Sequence, residues 1–188
     1  MDKKKFRLSY SLLSLWSQGF ITEAINTYLH REVIATPQII EGRRLHEEWA
    51  TSITTSKKLI LGSTEISFVN PLCEYGSKGE LNKPYNDLWD IGGRFDVLDT
   101  NTLYEFKSGK TNSLTYANGF QVPFYFLLGE LSGIKIDKAM IYHWNQYTKE
   151  TDFMLVWNDP THIEKARNWI DTIVPDIHSF FKKNNIIG

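Results

Sequence analysis

The chain has 188 residues, with 21 Lys and Arg against 22 Asp and Glu, and a formal net charge of −1 at pH 7. That length suits one compact domain with a proper core, taken as residues 1–188, and the near-neutral balance excludes a protein that coats duplex nucleic acid by electrostatics alone. Cys73 is the single cysteine, which excludes a disulfide framework and any four-cysteine zinc or iron–sulfur site built from this chain alone.

Lys3, Lys4, Lys5 and Arg7 followed by residues 8–20 have the outline of a secretory signal, but Ser9, Ser11, Ser14, Ser17 and Gln18 interrupt the apolar run. The pattern predicts a folded helix instead, and no stretch reaches the apolar length of a membrane span. Leu12, Leu13, Leu15, Trp16, Ile21, Ile25, Tyr28 and Leu29 mark a helical stripe over 10–30, bent at Gly19. Thr36-Pro37 places a capping residue before a first-turn proline and predicts a helix to about Ser52. Gly42, His46, Trp49 and Ile53 share one stripe of it.

A first strand is expected between Leu59 and Leu72, with Ile66, Phe68 and Leu72 as its apolar members and Glu65 among them. Residues 73–90 turn polar and glycine-bearing, which predicts a loop or a long hairpin. Next come Gly92-Gly93-Arg94-Phe95-Asp96-Val97-Leu98 and Leu103-Tyr104-Glu105-Phe106-Lys107, separated by the turn residues Asp99-Thr100-Asn101-Thr102. A hairpin closed there pairs Leu98 with Leu103 and sets Asp96 opposite Glu105, with β-carbons about 5 Å apart. Leu103, Glu105 and Lys107 share one face, and Tyr104 and Phe106 the other. Facing carboxylates repel unless a divalent cation lies between them, and hard oxygen donors select magnesium or manganese. A surface hairpin with its polar face in water is the bland alternative.

Ser113 is positioned to cap a further helix, on which Gln121 and Tyr125 stand one turn apart. Pro123 requires a kink or a fresh helix start there. Strands are expected at Lys138–Trp144 and Thr151–Trp157, and Asp159-Pro160 opens a last helix that Pro175 bends or restarts. His143, His162 and His178 have no partners at ligand spacing. Strands bracketed by helices give an α/β fold in three layers, with a central mixed β-sheet flanked by helices.

Gly93-Arg94-Phe95-Asp96, Glu105-Phe106-Lys107 and Gln121-Val122-Pro123-Phe124-Tyr125, in that order, resemble the PD-(D/E)xK nuclease superfamily. The branch they resemble is the RecB-like one, which includes CRISPR-associated and helicase-fused iron–sulfur nucleases; with one cysteine, this chain departs from the cluster-bearing members. The resemblance implies a restriction-endonuclease-like core and a magnesium- or manganese-dependent deoxyribonuclease. It also implies exonuclease action in recombination, repair or phage DNA processing, in the cytoplasm, on DNA, with a helicase or recombination protein as partner and no membrane. Gly42-Arg43-Arg44-Leu45-His46 matches the family's Gly-x-x-x-His helix, which implies His46 as a metal ligand beside Asp96, Glu105 and the Phe106 carbonyl. The same resemblance implies Lys107 as the residue that positions the attacking water, with Gln121 and Tyr125 ordering water or substrate. Arg94 would meet a phosphate oxygen or form a salt bridge. Glu65 would tune the metal site or orient Lys107, or stand as an exposed strand residue. A non-catalytic nucleic-acid-binding or assembly module of the same fold, and a structure-selective endonuclease such as a junction resolvase, stay open as alternatives.

Overall fold

The computed structural model describes residues 6–30, 36–76 and 78–187. Lys3, Lys4 and Lys5 of the basic leader and Ser77 of the polar segment lie outside them.

The centre of the molecule is a five-stranded mixed sheet in the order β10-β9-β8-β7-β4. Its strands are β4 (Pro71–Tyr75), β7 (Phe95–Asp99), β8 (Thr102–Gly109), β9 (Lys138–Asn145) and β10 (Thr151–Trp157). β8 and β9 run parallel and every other neighbouring pair antiparallel. The parallel step needs a crossover, and α4 (Ser113–Ala117) with α5 (Gln121–Leu131) supplies it.

One face of the sheet, through Leu98, Leu103, Ala139 and Ile141, packs on α1 (Tyr10–Ser17), α5 and α6 (Pro160–Lys183). Residues 122–129 of α5 are all buried, so its sequence is apolar on every side. The opposite face, through Val97 and Phe106, packs on Leu45, Trp49 and Ile53 of α3 (Pro37–Ser56) and on the hairpin of β2 (Lys58–Leu61) and β3 (Thr64–Ser67). This is the expected three-layer α/β arrangement. A smaller sheet, with β6 (Trp89–Gly92) between β1 (Phe6–Leu8) and β5 (Asn82–Pro84), carries the chain into β7.

Local chemistry explains most of the boundaries. Thr36 accepts the Ile39 N–H with Pro37 at the first helical position, and α3 ends where Lys57 takes a left-handed φ of 55°. Gly19, at φ 83°, separates α1 from α2 (Ile21–Tyr28), the expected bend. α5 starts afresh at Gln121, which places Pro123 in the first turn, where its missing N–H costs nothing.

Three expectations are corrected, and one open alternative is decided. The segment expected to hold one strand holds β2, β3 and the start of β4, because a tight turn at Gly62 folds β2 onto β3. The segment read as polar carries the end of β4 and the β5–β6 hairpin, so of the two options the hairpin is the one formed. Asn112, not Ser113, caps α4, accepting the Thr115 N–H at 3.0 Å. α6 continues through Pro175 as one helix, held by Ala166, Ile170, Val174, Ile177 and Phe181 in the core. Among the described residues, no helix is long and apolar enough to cross a membrane.

Candidate active site

The β7–β8 hairpin forms in the expected register, with Leu98 opposite Leu103, but its ladder stops at Val97–Tyr104. One residue further on, the Asp96 carboxylate takes the place of a backbone acceptor: Oδ2 receives the Phe106 N–H at 2.9 Å. The strands therefore splay where the acids sit, and Asp96 and Glu105 are not a ladder pair. On β4, Glu74 has a φ of 52° and lies level with Asp96, between the pairs Cys73–Val97 and Tyr75–Phe95.

Five elements converge on this opening. α3 brings His46, whose Nδ1 lies 3.7 Å from Asp96 Oδ1. β4 brings Glu74, β7 brings Asp96, and His46, Glu74 and Asp96 each offer a ligand atom within 4.8 Å of the others. β8 brings Glu105 and Lys107: Lys107 Nζ is 2.8 Å from Glu105 Oε2 and 3.9 Å from Asp96 Oδ2. On α5, Gln121 Nε2 donates to Glu105 Oε2 at 3.1 Å and lies 3.2 Å from the Tyr125 hydroxyl. A β-carbon at Gly93 would come within 2.9 Å of Leu128, so glycine there lets α5 approach β7 closely.

His46, Glu74, Asp96, Lys107, Gln121 and Tyr125 line one cleft of about 930 Å³, to which Arg7, Ser9 and Ser11 also contribute. Glu105 lies just behind the wall, 1% exposed, and its Oε1 is buried without a hydrogen-bond partner among the described residues. A buried unpaired carboxylate oxygen is costly unless a proton or a cation satisfies it.

The electrostatics follow from this crowding. Burial, and then the Asp96 charge, push the Glu105 carboxyl up to about 8, against the pull of Lys107. Burial works against the Lys107 ammonium, yet Glu105 and Asp96 together raise it above the ordinary lysine range, so Lys107 is charged. Burial lowers the His46 imidazole, opposed by Asp96 and by a hydrogen bond to the Phe106 backbone, which favours the neutral, ligand-competent ring. Burial raises the Glu74 carboxyl, while Arg94 lowers it.

Those residues fit a divalent cation: one imidazole nitrogen and two carboxylates converge, with a third carboxyl carrying an unsatisfied oxygen beside them. Glu74 is the candidate ligand that sequence signals alone leave out, because it falls in the polar segment 73–90. An acidic residue two positions beyond Leu72 at the end of a strand is its one local signal. Glu65 lies elsewhere, on the solvent face of the β2–β3 hairpin, where it pairs with Lys58 at 2.7 Å. Arg94 forms the salt bridge that was one of its two options, at 2.6 Å from Glu74. His143, for which no ligand partner was expected, is buried with Nδ1 2.8 Å from Asp152 Oδ1.

No protein-family model matches the sequence, and no curated protein matches it as a relative. Among solved structures, an alkaline exonuclease, LHK-Exo, from Laribacter hongkongensis superposes with a TM-score of 0.49 at 13% identity, over 95% of this chain and 91% of that one. The same enzyme in complex with dAMP gives 0.47 at 13% identity, over 96% and 94%. A protein named SSO0001 gives 0.45 at 12% identity, over 92% of this chain and 77% of that one.

Proposed function

We propose that this chain is a metal-dependent deoxyribonuclease of the RecB-like PD-(D/E)xK kind, acting as an exonuclease on DNA, with magnesium or manganese as its cofactor. The observation that carries this reading is the meeting of His46, Glu74, Asp96, Glu105 and Lys107 around one cleft. A structural ion pair needs one acid for one base; here three acids and an imidazole stand with two bases, Lys107 and Arg94, an excess of ligand atoms that suits a cation.

His46, Glu74, Asp96 and Glu105, with the Phe106 carbonyl, would hold the metal. A divalent cation bound there lowers the pKa of a coordinated water and neutralises charge growing on the scissile phosphate. Lys107, tethered to Glu105, presents a compact positive charge to the attacking hydroxide. Gln121 holds Glu105 in place and links it to Tyr125. Arg94, paired with Glu74 at the edge of the cleft, would offer its guanidinium to a phosphate oxygen. With a net charge of −1, binding must come from this cleft and its metal rather than from a general basic surface.

The test is hydrolysis of end-labelled linear and single-stranded DNA with magnesium or manganese, comparing wild type with Asp96→Ala and Lys107→Ala. Mononucleotide release that both substitutions abolish is expected. Undiminished cleavage in both variants overturns the assignment, and internal cuts in place of terminal ones overturn the exonuclease part of it.

A further inference from the structure

The cleft does not end at Lys107. Ser108, the next residue of β8, lines both that cleft and a second groove of about 390 Å³, walled by Gln38, Lys110, Tyr116, Gln146 and Tyr147. The groove carries little of the acid that crowds the metal-ligating group. What it offers is aromatic surface and a cation.

Tyr147 is 62% exposed, at the turn between β9 and β10. That turn is firmly built. Asn145 Oδ1 accepts the N–H groups of Tyr147 and Thr148 at 2.9 and 3.2 Å, and the Asn145 main chain bonds Lys149 and Glu150, each at 2.9 Å. Lys110 Nζ sits 5.1 Å from the Tyr147 ring centroid. Across the groove, the Thr111 hydroxyl donates to the Tyr116 hydroxyl at 2.8 Å, which fixes that second ring.

A large ring held at the surface by a rigid turn offers its face to a ligand at little entropic cost. Beside a lysine it forms the pair of groups that single-stranded nucleic acid uses, a platform for a base and a charge for the neighbouring phosphate. The position fits as well. Gly109 and Asn145 are in register across the parallel β8–β9 pair, so Tyr147 stands past the same sheet end as Lys107, on the order of 10 Å away by strand rise.

We propose that this groove is a subsite for single-stranded nucleic acid continuous with the strand held at the metal-ligating group. The strand passes over Ser108, stacks a base on Tyr147 and sets a phosphate against Lys110. The subsite rests on the nuclease reading above and deepens it: the enzyme engages an unpaired stretch of its substrate, with little regard for sequence because every base has a face to stack.

Affinity for labelled oligothymidylates of increasing length, measured by fluorescence anisotropy in chelator, tests it. Tyr147→Ala weakens binding by roughly tenfold, with a defect that grows with strand length, and Tyr147→Phe restores it. Lys110→Ala weakens binding and reduces the slope of log affinity against log salt by about one. Equal affinities of wild type and Tyr147→Ala at every length overturn the subsite even where Asp96→Ala abolishes cleavage of the same strands. Absence of both binding and cleavage for every nucleic acid tried overturns the nuclease reading and the subsite together.

Discussion

Asp96 Oδ2 accepts the backbone N–H of Phe106 at 2.9 Å, one step past the point where the β7–β8 ladder has stopped. The carboxylate therefore does two things at once. It closes the sheet by satisfying an amide that the splayed strand has released, and its other oxygen faces His46. The two roles separate by substitution. Asp96→Asn keeps an acceptor for the amide and removes the charge, while Asp96→Ala leaves the amide unpaired at a cost of about 1–3 kcal/mol. Thermal melting in chelator should leave Asp96→Asn near wild type and lower Asp96→Ala, with DNA hydrolysis lost in both. Equal melting temperatures for the two variants would contradict the structural role.

Arg94 occupies the carboxylate of Glu74 that a cation would need. The guanidinium lies 2.6 Å from a carboxylate that also belongs to the candidate metal-ligating group. Removing it frees Glu74, so Arg94→Ala should bind manganese more tightly than wild type in calorimetric titration without DNA. Glu74→Gln should bind it at least tenfold more weakly, as loss of a ligand exceeds the usual cost of an outer partner. An Arg94→Ala protein that binds manganese more weakly would show that the salt bridge props the site open instead.

Gln121 is tied to Glu105 rather than to the open cleft alone. Its amide donates to Glu105 Oε2 and lies beside the Tyr125 hydroxyl. Gln121→Leu should lower kcat about 10- to 100-fold with little change in KM, the signature of lost orientation rather than lost binding. A rise in KM at constant kcat would assign Gln121 to substrate contact.

Stability in chelator should carry the mark of Glu105. Its folded carboxyl, pushed up to about 8, holds a proton that the unfolded chain gives up at about 4.3. Between those values the folded protein binds more protons than the unfolded one, so this group makes stability fall as pH rises and stops doing so above about 8. His46, lowered by burial, contributes the opposite slope below its ordinary value. The difference between wild type and Glu105→Gln isolates the first effect: melting temperature should fall faster with pH in wild type from about pH 5 to pH 8. Parallel curves would mean that Glu105 is ionised throughout.

The hairpin was legible in the sequence because its signals are local: turn residues at Asp99-Thr100-Asn101-Thr102 and period-two patterning fixed the pairing of Leu98 with Leu103. Gln121 and Tyr125 were legible for a similar reason, since one helical turn separates them. Periodicity alone reads His46 as one more residue on the α3 stripe; the Gly42-to-His46 match singled it out. Glu74 was not legible. Its place depends on β4 pairing with β7, a long-range contact, and on a left-handed backbone that glutamate rarely adopts. The splay at Asp96 was equally hidden, because alternation predicts a continuous ladder and carries no information about a side chain replacing a carbonyl.

The donors at this centre arrive on different kinds of support. Glu74, Asp96 and Glu105 are rooted in the sheet, whereas the imidazole is carried by α3, on the stripe packed through Leu45, Trp49 and Ile53. Nitrogen draws a site toward the later transition metals and oxygen toward magnesium and calcium. In the proposed metal site, exchange at one helical position would therefore change the ion preferred, with the acids and the strands that hold them left as they stand.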